Sequence, residues 1–288
     1  MSCELSAFGS QRSAMSHFRS QSLLPLAVLG ALSVSVVSSP ATTLLVLGLD
    51  APKRGEISPT TDVMLLVRME AGAAGDHDGR VDILSIPRDT QAFIPGQGVY
   101  KINHAYPFGG VELAQRTIFQ VVGLYPQKYV LLDFAGFRRI LDSLGGVTVD
   151  VRQEMKYEDV AGGLKIDVKP GVQRLNAEQS LGFVRWRTSD LARTAQHRQF
   201  LVALRNELVR PANLPKVPQV IAELCRSVRT NLSLAEATEL AWAAVRMKRP
   251  AITTQVLPGR YVVTNDWHFV LDRTRFVVED GWVRVIAD

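Results

Sequence analysis

Short apolar runs, each closed by a charged residue or a proline, set the pattern in the first third of the chain. "TTLLVLGLD" (42–50) ends in Gly48 and Asp50, and "DVMLLVRM" (62–69) and "RVDILSIP" (80–87) repeat the form. Continuous apolar runs bounded by turn residues fit strands covered on both faces. A loop rich in Pro, Gly and Lys parts the first two, and a Gly- and Ala-rich linker at 70–79 parts the second from the third. Three strands therefore deliver their ends to neighbouring loops.

From Gly110 the period changes. Val111, Ala114, Ile118, Val121 and Val122 fall at helical intervals, "KYVLLDF" (128–134) returns to strand, and "AGFRRILDSLGG" (135–146) reads as a helix stopped by two glycines. The strand "VTVDV" follows, and 154–174 reads as a hairpin with Gly162–Gly163 at its turn. Asn176 with Gln179, and Ser233 with Glu236, have the spacing of capping boxes, so helices are expected to dominate 176–247, with Ser233 of the Asn231-Leu232-Ser233 sequon serving as a cap. "TTQVLPG" (253–259) as a strand and "RTRFVVED" (273–280) as a helix complete the series. This order predicts an α/β fold, a layered α-β-α sandwich with a mixed central sheet.

The N-terminal pattern is different. No charged residue occurs between Arg19 and Asp50, and Leu23–Val37 is almost continuously apolar behind Arg12, His17 and Arg19. The expected organisation is a cytoplasmic tail (1–20), a transmembrane signal anchor (21–39) and an extracytoplasmic domain (40–288) with a core at 43–209 and an annex of helices and strands at 210–288. A cleaved signal peptide is the rival for the same segment.

Composition adds little to this. The 288 residues are 47% hydrophobic and 21% charged, with a net charge of +5 that mildly favours anionic partners. Cys3 and Cys225 lie too far apart in sequence to suggest a disulfide framework or metal-ligand spacing.

The polar residues at the strand ends carry the chemistry. A tight return from Asp50 to Asp62 would bring two carboxylates to one end of the sheet, and two oxygen donors with open positions suit Mg²⁺ better than zinc. Arg88–Asp89 closes the third strand, and Lys101 and Asn103 follow with His104 and Tyr106 beside them. In "VRWRTSD" (184–190) an extended backbone sends Arg185 and Arg187 to one face, a fork for a diphosphate, whereas a continuing helix parts them. "ARTAQHRQF" (192–200) adds Arg193, Gln196, Arg198 and Gln199 at the start of another helix. Taken singly, each has a plain reading as a turn cap or a solvated charge. Nucleotide-binding loops, zinc-protease helices and nucleophile elbows are missing from the sequence. What is left is the inventory for phosphoryl transfer by positioning and charge neutralisation.

In order, "LLVLGLD", "TDVMLLVRM", "ILSIPRDT", "KINHAYPFGG", "DFAGFRRILDSLGGVTVDV", "GGLKIDVKPGVQRLNAEQSLGFVRWR" and "DLARTAQHRQFL" resemble the LytR-CpsA-Psr family of cell-envelope proteins over residues 43–209. The resemblance implies a membrane-anchored extracytoplasmic enzyme that transfers a phospho-glycopolymer from a polyprenyl-pyrophosphate carrier to a peptidoglycan or other wall hydroxyl, with Mg²⁺. Its residue roles fall on Asp50 and Asp62 as metal ligands, with Asp62, Arg88 and Asp89 as the catalytic set. Arg88, Lys101, Asn103, Arg185, Arg187, Arg193 and Gln199 fall on the pyrophosphate. It further implies a polyprenyl tail between sheet and helices, for which the apolar faces at 111–122 and 199–209 are candidates that periodicity alone reads as core.

Two departures stand out. Thr60 occupies the place where the family commonly has an arginine, leaving compensation by Lys53 or Arg54 open, and the R-x-x-R-Q pattern is shifted so that either Gln196 or the Arg198–Gln199 pair takes its role. A polyprenyl-pyrophosphate hydrolase and a non-catalytic lipid-pyrophosphate-binding regulator stay as alternatives. No helix-turn-helix signature supports a nucleic-acid partner.

Overall fold

A computed structural model describes residues 42–49, 59–70, 79–159, 164–186, 190–247, 251–263 and 266–286. The segment 1–39, Asp50, the Gly162–Gly163 turn and Arg187 lie outside the described residues. Among the described residues no helix is long and apolar enough to cross a membrane.

The three opening runs are strands: β1 (Thr42–Leu49), β2 (Thr61–Glu70) and β3 (Arg80–Ser85). A hairpin of β4 (Gln91–Ile94) and β5 (Gly98–Lys101) follows, then a 3-10 turn over Ile102–His104 and α1 (Ala105–Val122). The chain breaks helical geometry at Gly109 and at Gly110, whose φ is 65°, so the regular helix begins where its apolar period begins, at Val111. β6 (Lys128–Asp133) runs directly into α2 (Phe134–Leu144), because Asp133 accepts a 2.7 Å bond from the Gly136 amide and caps the helix.

β7 (Val147–Val151), β8 (Met155–Asp159), β9 (Leu164–Val168) and β10 (Gly171–Leu175) form two ribbons, β8 with β9 and β10 with β7. The strands of the expected hairpin are thus present, and "VTVDV" stands outside the central sheet. α3 (Ala177–Arg185) opens on the Asn176–Gln179 capping box. α4 (Asp190–Leu208), α5 (Val217–Ser227), β11 (Val228–Thr230) and α6 (Leu234–Arg246) follow, the last on the Ser233–Glu236 box. β12 (Ala251–Val256) precedes two hairpins, β13 (Gly259–Val263) with β14 (Trp267–Leu271) and β15 (Phe276–Glu279) with β16 (Trp282–Val285).

The helix expected at 273–280 is a correction. Only Arg273–Arg275 make a 3-10 turn, and Phe276–Glu279 are strand. Phe276, Val277 and Val278 favour extended backbone. The Asp280–Gly281 dipeptide behind them has φ of 50° and 67°, both positive as a two-residue hairpin loop of the type I′ kind requires.

The central sheet has the order β11-β6-β1-β2-β3-β12. β1 pairs antiparallel with β2 and parallel with β6, while β3 pairs antiparallel with β2 and parallel with β12, so the directions are mixed. Alternation gives each face its own core. Leu45, Leu47 and Leu49 of β1, with Leu66 and Leu84, pack against Ala114, Ile118, Val121 and Val122 of α1 and against Trp282 and Val283 of β16. On the opposite face Val130 and Leu132 of β6 meet Ile140 and Leu144 of α2 and Val220 of α5. A separate cluster joins the small ribbons to α3 and α4 through Phe183 and Phe200. The face at 111–122 is therefore core, and 199–209 divides its apolar residues, Phe200 going to the ribbon cluster and Leu208 to the α2–α5 cluster.

At the end of β2 and the start of β3, next to the 70–79 linker, Arg68 and Asp82 form a buried ion pair. Arg68 Nη2 lies 2.9 Å from Asp82 Oδ2, with side-chain exposures of 10% and 3%. Arg80 Nε also donates to Asp82 at 2.8 Å, and Arg68 donates to the Asp280 carbonyl and stacks over Trp282. Asp82→Ala leaves the buried Arg68 guanidinium with only the more exposed Glu70 at 3.5 Å, and is expected to cost about 3 kcal/mol, measured as the shift in chemical denaturation.

A second ion pair joins β6 to α6. Lys128 Nζ lies 2.6 Å from Glu236, and with the Ser233 amide and hydroxyl it holds the Glu236 carboxyl at about 2, against an ordinary 4.5. A depressed folded-state value means that the stabilisation is complete above about pH 4.5 and is lost as the pH falls through about 2. Melting temperatures across that window should show this component in the wild type and lack it in Glu236→Gln.

Candidate functional site

Strand direction fixes which residues can meet. Leu49 pairs with Thr61 and with Asp133, and Leu65 with Ser85, so the C-terminal ends of β1, β3 and β6 and the start of β2 share one edge of the sheet. Val256, at the end of β12, joins the same edge through Ser85. Ligands of open α/β sheets bind at such carboxyl ends.

At that edge Pro87, Arg88, Asp89 and Thr90 form a tight turn, closed by the Thr90 amide on the Pro87 carbonyl at 3.0 Å. Pro87 and Thr90 are buried while Arg88 and Asp89, the central residues, are turned to partial exposure. The sequence placed opposite charges side by side because a turn apex presents both. Their carbonyls are used as well: the Asn103 amide donates to Arg88 O at 3.3 Å and the Phe269 amide to Asp89 O at 2.9 Å. The Ile102 amide donates to Thr90 O at 2.8 Å, which binds the "KIN" stretch onto the turn.

The side chains form an alternating row. Arg88 Nη1 donates to Asp62 Oδ2, Arg88 Nε lies 3.7 Å from Asp89, and Lys101 Nζ lies 3.6 Å from Asp89 and 2.6 Å from Asp266. The first four of these side chains are between 18% and 24% exposed and Asp266 is 58% exposed, so the row borders solvent rather than core. Asp62, Arg88, Asp89 and Lys101 are thus brought together. Asn103 lies directly beneath, 7% exposed, its backbone on the turn and on Thr61 Oγ1 and its buried Oδ1 without a hydrogen-bond partner. Beside it, Tyr106 is buried and its hydroxyl accepts from Arg229 at 2.8 Å.

Arg185 reaches the same edge from the other side. It is the last residue of α3, and its guanidinium lies 4.4 Å from the centre of the Phe134 ring, the residue after Asp133. From β6 to β3 are three strand spacings of about 4.8 Å, or about 14 Å, a gap that arginine side chains from both ends narrow. Trp186, which follows α3, has extended backbone, and Arg187 lies outside the described residues. Arg193 is in the first turns of α4, and its side chain is not described.

The two glutamines go elsewhere. Gln196 is buried against Met155, 3.9 Å from its sulfur, and Gln199 donates to the Asp150 carbonyl of β7, beside a shallow pocket of about 480 Å³ that Asn206 and Arg210 also line. Neither contacts the charged row in this arrangement. The neighbouring Glu207 is structural. Burial pushes its carboxyl up, but hydrogen bonds from Arg174 at 2.6 Å and Arg210 at 2.9 Å outweigh that and hold it below the ordinary range.

For a metal, Asp62 offers a hard oxygen donor at the edge, with Asp50 outside the described residues. Among the described residues no three His, Cys, Asp or Glu side chains converge. That donor set fits Mg²⁺, which commonly takes one or two carboxylates and completes its shell with water and phosphate oxygens. Thr60, just ahead of β2, contributes no positive charge; Asp62 receives a guanidinium from Arg88 instead. Asp266, on the β13–β14 connection, gave no signal in the sequence, since only the folded chain brings it to Lys101.

A family model described as the LytR_cpsA_psr family matches residues 11–278. The regulatory protein MsrR of Staphylococcus aureus (strain COL) is 32% identical over 195 residues, which cover 66% of this chain and 56% of MsrR. The chain thus spans little more than half the length of that relative. The polyisoprenyl-teichoic acid–peptidoglycan teichoic acid transferase TagU of Oceanobacillus iheyensis is 31% identical over 244 residues, 80% of this chain and 71% of TagU. Among solved structures, the protein YwtF (TagT) with bound octaprenyl pyrophosphate lipid superimposes with a TM-score of 0.61 at 24% identity, covering 82% of this chain and 86% of that one, which shows the shared fold.

The two ion networks should respond differently to deletion. Because the Asp62–Arg88–Asp89–Lys101 row is partly solvated, Arg88→Ala is expected to cost about 1 kcal/mol or less, well under the loss for Asp82→Ala in the same denaturation experiment.

Proposed function

The chain belongs to the LytR-CpsA-Psr family, and from that premise we propose that it transfers a phosphate-linked glycopolymer from a polyprenyl-pyrophosphate carrier to a hydroxyl of peptidoglycan or another wall polymer. The observation that carries this reading is the row of Asp62, Arg88, Asp89 and Lys101 on a rigid turn at the carboxyl edge of the sheet. The relationship to TagU over 80% of the chain supports a wall-polymer transfer role, and TagT, of the same fold, holds octaprenyl pyrophosphate.

In the proposed reaction the acceptor hydroxyl attacks the sugar-linked phosphorus, the bond from that phosphorus to the bridging oxygen breaks, and polyprenyl phosphate leaves with the electron pair. Arg88 and Lys101 neutralise the pyrophosphate, with Arg185 approaching from the β6 side and Arg187 and Arg193 as further contacts. Asp89 stands between Arg88 and Lys101 and would take the hydroxyl proton, directly or through water. Asp62, together with Asp50, would hold Mg²⁺, which supplies further neutralisation of the diphosphate charge. Asn103 holds the turn through its backbone amide on Arg88 O, and its side-chain NH2 is the group that would donate to the diphosphate.

The carrier's apolar tail belongs, on this reading, on the sheet face opposite α1. Val46 and Val63 there are only half-buried, and Gly48 leaves the surface low: a Cβ at 48 would meet Val63 Cβ at 2.9 Å. The apolar segment 21–39 is proposed as the anchor that keeps the domain at the outer membrane surface where such carriers are presented.

The full chain in detergent, given a polyprenyl-pyrophosphate oligosaccharide, Mg²⁺ and wall fragments, should form a glycan–wall phosphodiester and free polyprenyl phosphate. EDTA should stop it, and Arg88→Ala or Asp62→Ala should lower kcat/KM by roughly 10²–10³. Undiminished transfer in both variants contradicts the assignment, and release of free glycan phosphate without any wall adduct indicates hydrolysis instead.

A further inference from the structure

Lys101 has two carboxylate neighbours of unlike character. Asp89 is fixed by the turn, 21% exposed and 3.6 Å away, whereas Asp266 is 58% exposed and only 2.6 Å away. Among the described residues, Lys101 is thus shared between a carboxylate held by the turn and one that stands at the solvent edge. An anionic ligand that binds Lys101 competes with these two carboxylates for its charge, and the one that yields more easily sets the cost. Asp89 is the less able to do so, since its backbone carbonyl is tied to Phe269 and its side chain lies 3.7 Å from Arg88. Asp266 stands at the edge of the β13–β14 connection, in solvent that can take back its charge at little cost.

We propose that Asp266 is an affinity-setting residue of the site, an internal anion that occupies Lys101 in the empty protein and is displaced when the diphosphate of the carrier binds. The proposal rests on the reading of this edge as the pyrophosphate site. Asp266 does not touch the reacting atoms; it acts through Lys101, by setting how much of that cation's charge is available. It lowers affinity for both carrier substrate and polyprenyl phosphate product, which helps a membrane-bound enzyme release a product that shares the substrate's tail.

The test measures binding of octaprenyl pyrophosphate in detergent micelles with Mg²⁺ to the full chain, by calorimetry. Asp266→Asn should tighten Kd by about twofold to fivefold, the range of a partly exposed ion pair, and Asp266→Glu should restore the wild-type value. In a Lys101→Met background Asp266→Asn should have no effect, because the cycle removes the shared partner; a purely structural role would persist there. Equal or weaker binding by Asp266→Asn overturns the proposal, as does an undiminished gain in the Lys101→Met background. If the wild type itself binds no octaprenyl pyrophosphate, the proposal and the reading of the edge fall together, whereas wild-type binding with no Asp266 effect removes the proposal alone.

Discussion

The turn Pro87–Thr90 is the constraint on which the site depends. Four backbone hydrogen bonds converge on it, from Thr90 itself, Ile102, Asn103 and Phe269, so the end of β3, the exit from β5 and the β14 hairpin are held to a common point. Buried backbone groups require partners, and here each of the four turn carbonyls, from Pro87 to Thr90, accepts from an amide of the protein. What is left facing outward is the pair of side chains, Arg88 and Asp89. Because the backbone beneath them is already ordered, a ligand that binds there orders little more than two side chains, which is where preorganised sites gain their advantage.

Around that point the sheet acts as a ruler. Register places the ends of β1, β2, β3 and β6 at one level, so residues as distant in sequence as Asp62, Arg88 and Arg185 arrive at one edge from three different connections. The opposite end of the same strands carries a different network, Arg68 with Asp82, in which burial is nearly complete and the partners are structural. The two networks use the same residue types. Burial distinguishes their roles: a buried pair resists the loss of either member, and a row that borders solvent can exchange a partner for a ligand.

Much of this was legible beforehand where the physical signal is local. The three opening strands, the capping boxes at Asn176 and Ser233, and the double-glycine stop of α2 each depend on neighbours within a few residues. The stretch 273–280 reads as a helix because its apolar residues also fit that period, whereas the deciding signal is the Asp280–Gly281 turn behind the Phe276–Glu279 strand. Motif likeness put Asp62, Arg88, Asp89, Lys101 and Asn103 in one place and the structure agrees with that grouping. It could not say that Gln199 would turn to β7, nor that Asp266 would reach Lys101, since each is a contact across the fold with no imprint on local pattern.

The bond from Arg68 to the Asp280 carbonyl joins residues 212 positions apart, and Trp282 and Val283 fill the same core as the strands that open the domain. Long-range closure of this kind raises contact order and slows folding, because loop entropy is lost before the contact is gained. The core between β1 and α1 therefore stays open until the last hairpin of the domain arrives. A chain emerging N-terminus first keeps its central strands in an unfinished, aggregation-prone state for most of its synthesis, so the timing of native structure is governed by the end of the domain farthest in sequence from its first strands.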